Sequence, residues 1–243
     1  MQIRLNTLFS FTVLVSLFVS ISLLIVRIFL TGVEGYQFLL WNLFLAWVPY
    51  GISVIHERSA RKWMSGILFI SWFFFFPNAP YIVTDFVHLP WKYFGMGTFW
   101  YDGVLIGMFS FTGLLFGLGS LFRIHRSLTK QVGQMVARVI VAIVIILSGV
   151  GMYLGRFLRW NSWDVALRPM DILRNAIGHY SDPLWFEHAV IFSMVFSLFI
   201  AISYMIFFGM YRLLSSKNLT DTLIVDFNQK KLKVVTIPKK KIV

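Results

Sequence analysis

Hydrophobic residues in this chain come in long blocks separated by short polar connections. Six blocks stand out, at about 8–30, 36–55, 63–84, 100–122, 135–154 and 187–211. Each is near the roughly 20 apolar residues that a helix needs to cross a bilayer core. The expected architecture is an all-α integral membrane protein, a polytopic bundle of about six transmembrane helices. The first block is expected to be a retained anchor, because its apolar run is too long for a signal-peptide core and no small-residue cleavage pattern follows. Residues 1–214 then form the transmembrane domain, and 215–243 form a basic cytoplasmic tail. Within the tail, 223–227 and 232–237 read as two short strands of a hairpin.

The third block is irregular. From Trp63 to Phe76 a helix rises only about 21 Å, and it must continue to Thr84 to reach about 33 Å. That extension carries Pro77 and Pro80 into the span, and each removes a backbone donor, from the carbonyls of Phe73 and Phe76 respectively. Asn78 is expected to supply donors there. The span is thus either kinked and packed against its neighbours or broken at Pro77/Pro80 around a polar cavity. Gly103–Gly107, Gly113–Gly117 and Gly151–Gly155 are small-residue pairs four apart, expected to be internal packing faces more than a homodimer seam. In the connection 156–186, Arg168-Pro169 is expected to start a short amphipathic helix that ends near Gly178. Met170, Leu173 and Ile177 would share its apolar face at the outer membrane surface.

Composition supports the membrane assignment. The 243 residues are 58% hydrophobic and 13% charged, against about 25% charged in ordinary soluble domains. There is no cysteine, which excludes disulfides, thiolate metal sites and cysteine nucleophiles. A net charge of +12 would suggest nucleic acid in a soluble protein. Here it reflects loop charge bias and attraction to anionic lipid, and no nucleic-acid partner is expected. With both termini cytoplasmic, 16 of the 22 Lys and Arg residues fall inside. The six outside are Arg27, Lys92, Arg156, Arg159, Arg168 and Arg174. The expected location is therefore the cell membrane, multi-pass, with the bilayer as partner and the run Lys239–Lys241 touching anionic lipid.

Candidate chemistry gathers in three segments at the outer face: FPNAPYIVTDFVHL (76–89), WYDG (100–103) and GRFLRWNSWD (155–164). Ionisable residues at membrane depth are functional candidates. Asp85, His88, Asp102 and Asp164 are the candidate catalytic groups, and Asn78, Arg156, Arg159 and Asn161 the candidate binding groups. Three chemistries fit. The carboxylates and His88 could ligate a divalent metal, although no HExxH-like spacing supports it. His88 or Asp85 could move a proton while Arg156 and Arg159 clamp a phosphate or carboxylate. The arginines could instead pair with the carboxylates and lock helix ends. His56 and His125 are expected to be solvated in inner loops, Glu57 to form a surface pair with Arg58 or Arg61, and His179 and His188 to be interfacial.

These three segments, with NLFLAWVPYGIS (42–53), resemble a bacterial membrane-protein family known as domain of unknown function 1361, over roughly 36–210. The resemblance implies a six-helix-like membrane fold and carries no established activity. The leading expectation is an outward-facing polar site that binds or processes an anionic lipid or cell-envelope precursor. The alternative is a non-enzymatic scaffold or complex subunit, with a small-solute transporter less favoured. Whether the chain is an enzyme stays open at this point.

Overall fold

A computed structural model describes residues 2–32, 35–89 and 97–235, with side chains for 7–32, 35–89 and 97–214. The described chain is helical throughout: α1 (Gln2–Thr31), α2 (Phe38–Arg58), α3 (Lys62–Phe75), α4 (Asn78–Tyr81), a 3₁₀ segment (Ile82–His88), α5 (Gly97–Val132), α6 (Gln134–Phe157), α7 (Asp164–Leu167), α8 (Pro169–Ser181) and α9 (Pro183–Val235). Six of its helical stretches are long and apolar enough to cross a membrane. The protein is an all-α polytopic bundle.

The bundle is organised around α5. About 67% of its apolar window is buried, against 17% for α9, because α1, α2, α4, the 3₁₀ segment, α6 and α9 all pack on it. The other spans show one buried stripe each. On α2 the stripe is Leu39, Leu43, Ala46, Pro49, Ser53 and His56, at helical spacing. The remaining faces are apolar and exposed, as in Phe18, Phe29, Ile67, Ile146 and Met194. That pattern suits a helix surrounded by lipid tails.

Of the two forms that Pro77 and Pro80 leave open, kinked or broken, the third span takes the broken one. Helix α3 stops at Phe75; a short α turn and a 3₁₀ segment carry the chain to His88. The Phe76 carbonyl is satisfied by the Ala79 amide at 3.1 Å. The Asn78 side chain, expected to fill that role, instead reaches Ser162 Oγ at 2.9 Å. Glycines hold the broken piece from two sides. A Cβ at Gly113 would lie 2.6 Å from Ile82 Cγ2 and 3.1 Å from the Ala79 carbonyl oxygen, and one at Gly117 would lie 3.0 Å from Ala79 Cβ. On α6, a Cβ at Gly151 would meet Pro77 at 2.9 Å, and one at Gly155 would meet Tyr81 at 3.4 Å. Two of the three predicted glycine pairs are therefore packing faces for the break. Gly103 faces open space.

Several local expectations are corrected. Helix α5 runs ten residues past the predicted end of its span, because no glycine or proline interrupts it before Gly133, which turns the chain at φ +86°. His125 consequently lies on a helix and is buried, with Nδ1 2.7 Å from the Tyr204 hydroxyl. His56, also buried, completes the α2 stripe and meets Ser65 Oγ at 2.9 Å through Nε2. Glu57 pairs with Arg123 (2.5 Å) and Arg126 of α5, not with Arg58 or Arg61. Residues 215–235 continue α9 as helix in place of the expected hairpin, since the chain carries no helix breaker between Gly209 and Pro238. Lys239–Lys241 lie outside the described residues. The amphipathic helix forms with Pro169 at its first turn, as α8, and ends at Ser181 instead of Gly178.

Candidate functional site

The proline break sets the geometry of the site. In a 3₁₀ helix, residues three apart eclipse one another, so Asp85 and His88 present to the same side. Arg156, in the last turn of α6, reaches across to both: Nη2 donates to Asp85 Oδ1 at 2.8 Å and Nη1 to His88 Nε2 at 3.3 Å. An arginine has no acceptor to offer, so His88 accepts at Nε2 and is neutral in this arrangement. Arg156 also donates to Thr84 Oγ1 through Nε (3.0 Å) and Nη2 (2.5 Å), and its guanidinium lies 4.8 Å from the Tyr81 ring centre. Asp85, 1% exposed, is held from its other oxygen by Asn42 Nδ2 at 2.6 Å. The clamp thus ties α2, the broken span and α6 together.

Asp102 lies apart from this clamp. Its carboxylate, 2% exposed, accepts from Arg27 Nε at 2.9 Å and from the Tyr36 hydroxyl at 3.0 Å, joining α1, the turn before α2 and α5. Asp164 is local to the 155–169 turn. It accepts from the Asn161 backbone amide at 2.9 Å and from Arg168 at 3.0 Å. Those donors, the Asn161 amide first, hold its carboxyl below the usual carboxylate range. Among the described residues, no three His, Asp or Glu side chains gather in a group that could hold a metal ion.

Arg159, Asn161 and Asn78 come together with Arg156 and His88 around a cavity of about 910 Å³. That volume is at the upper end of the roughly 300–1,000 Å³ of ordinary ligand pockets. Its walls are apolar, drawn from Trp41 and Leu45 of α2, Phe73 and Phe74 of α3, and Leu147 of α6, with Ile172 and Leu173 of α8 completing it. Trp41, Phe74 and Leu147 of that lining are among the chain's exposed large apolar residues. No aspartate or glutamate is among the described residues lining it.

The turn that delivers Arg159 is strained. The Leu154 carbonyl accepts the amides of Leu158 (3.1 Å) and Trp160 (3.3 Å), and the chain turns through Arg159 at φ +57°. This left-handed position after a helix is usually glycine or asparagine; a side chain with Cβ costs about 1–2 kcal/mol there. Arg159 is exposed in the cavity and makes no hydrogen bond or ion pair with the described residues. Beside it, the buried Trp160 Nε1 has no acceptor among the described residues.

Sequence reasoning missed the supporting residues Asn42, Thr84 and Tyr81 at the clamp, and Arg27 and Tyr36 at Asp102. Asn42 and Arg27 each interrupt an apolar block, and that interruption was the available signal. No curated protein matches the chain, and no solved structure does. The family model described as "Protein of unknown function (DUF1361)" matches residues 41–203, which hold the break, the clamp and the cavity, and the chain belongs to that family.

Proposed function

We propose that this membrane protein holds an anionic lipid or lipid-linked envelope precursor at the outer leaflet of the cell membrane. One observation carries the reading: a cavity with apolar walls, some of them exposed apolar side chains, has two arginines and no carboxylate among its described lining residues. An acyl chain fits the walls, and a negatively charged head group fits the arginine end. The excess of Lys and Arg at the opposite end of the spans and in the tail supports cytoplasmic termini and an outward-facing cavity.

A second reading, a non-enzymatic scaffold or complex subunit, is favoured by a separate observation. Asp85, Asp102 and Asp164 are each engaged by an arginine, so these carboxylates hold helices and turns in place and none stands free for proton transfer. The two readings are compatible for the carboxylates and differ at the cavity. Native mass spectrometry of the full chain released from gentle detergent separates them. A retained anionic lipid that is lost on replacing Arg159 supports lipid binding. A bare chain, or one carrying only another protein, refutes it in favour of the scaffold.

A further inference from the structure

The charges around the cavity do not sum to a generic basic patch. Arg156 is already balanced by Asp85 at 2.8 Å, and it also donates to Thr84 from Nε and Nη2 and to His88 from Nη1. His88 is neutral while it accepts from Arg156. The carboxylate next along the chain, Asp164, is tied to Arg168 and the Asn161 amide. Arg159 is left as the one cation lining the cavity without a hydrogen-bond or ion-pair partner among the described residues. It is also the residue at which the backbone adopts a left-handed conformation that glycine would adopt freely. A long cationic side chain at such a position is poorly explained by folding, and strained positions of this kind cluster at ligand clamps.

We propose that Arg159 selects a lipid whose head group carries a single negative charge, a phosphodiester, and that the cavity discriminates against a phosphomonoester. This rests on the lipid-binding reading above and narrows it. A phosphodiester brings one charge to one free guanidinium, with neutral Asn78, Asn161 and Ser162 beside it for the uncharged part of the head group. A phosphomonoester carries about −1.5 to −2 at neutral pH. Its second charge would be desolvated against apolar walls with no unengaged cation to meet it.

The test is a lipid titration of the full chain in gentle detergent, read by native mass spectrometry. The probes are phosphatidylglycerol (diester, one charge), phosphatidic acid (monoester) and zwitterionic phosphatidylcholine, all with the same acyl chains. The proposal expects phosphatidylglycerol to bind about tenfold or more above phosphatidylcholine, the scale of one charge-assisted hydrogen bond, and above phosphatidic acid. Arg159→Gly should erase the preference without lowering the melting temperature, since glycine relieves the backbone. Arg159→Lys should keep much of the preference. Tighter binding of phosphatidic acid, or an undiminished preference in Arg159→Gly, overturns the single-charge assignment and leaves the lipid-binding reading intact. Equal binding of all three lipids to the natural chain overturns both.

Discussion

The Asp85–Arg156 pair should show a marked asymmetry when its two ends are removed separately. Asp85 is 1% exposed, and among the described residues its carboxylate accepts from Asn42 and Arg156. Arg156 is 15% exposed at the cavity edge and keeps Thr84, His88 and the Tyr81 face when the carboxylate is gone. Arg156→Gln therefore strands a buried charge, for which about 3–5 kcal/mol is the ordinary cost. Asp85→Asn removes one charge-assisted hydrogen bond of about 1.5–3 kcal/mol from a cation that still reaches solvent. The double variant should be less damaged than the sum of the singles, by a coupling at the upper end of the roughly 0.5–3 kcal/mol seen for contacting residues. The assay is unfolding of the four proteins in mixed micelles under one set of conditions. Additive effects, or a larger loss for Asp85→Asn than for Arg156→Gln, would refute the view that Arg156 is the main support of a buried carboxylate.

Other expectations follow from the same contacts. Gly113→Ala places a methyl 2.6 Å from Ile82 and against the Ala79 carbonyl, which cannot swing away; it should lower stability by about 1–3 kcal/mol, whereas Gly103→Ala, facing open space, should be neutral or gain up to about 1 kcal/mol from helix propensity. Equal melting temperatures for the two would sink the packing assignment. Glu57→Gln should loosen the far end of α5 by releasing Arg123 and Arg126, seen as faster amide exchange in 123–132. Asp164 has a lowered folded-state value, so its support of the 161–168 turn is present above the unfolded value of about 3.9. That support fades as pH falls through the lower folded value; Asp164→Asn should abolish this acid-linked change in Trp fluorescence, and an unchanged profile would count against it. Because the chain lacks cysteine, Asn161→Cys should label with an impermeant maleimide in intact cells and Lys130→Cys should not. The reverse result would invert the proposed orientation.

Much of the fold was legible because membrane helices are written as length. Six apolar blocks became six spans, and two prolines marked where the third is irregular without deciding between a kink and a break, since Pro49 lies inside the continuous α2. The ends were less legible. An apolar block ends where the membrane ends, but a helix ends where a breaker occurs, so α5 ran on to Gly133 and took His125 into the core. His56 was legible in principle, because it sits at helical spacing from Ser53 and Pro49 on the buried stripe. The candidate site was legible as a neighbourhood and not as a pairing. Asp85, His88 and Arg156 do meet, but nothing local tells Asp102 to choose Arg27, 75 positions away. The strain at Arg159 is a backbone property that its side chain does not announce.

The break and the clamp are best understood as one device. Non-helical backbone at membrane depth is tolerated only when enclosed by protein or lining a water-filled cavity, and here α5 and α6 pack on the broken piece while Pro77, Asn78, Tyr81 and His88 line the cavity. Gly113 and Gly117 let α5 close against Ala79 and Ile82 of the break, while Gly151 and Gly155 let α6 close against the Pro77 and Tyr81 side chains. That close approach brings the end of α6, and hence Arg156, within reach of the broken span. The 3₁₀ winding then aligns Asp85 and His88 so that one guanidinium can engage both. A regular α-helix through the same residues would offset them by about 60° around the axis at three residues' spacing, and the arginine would have to choose. By absorbing Arg156 in this way, the fold leaves Arg159, on the next turn of chain, as the cavity-lining arginine without a hydrogen-bond or ion-pair partner among the described residues.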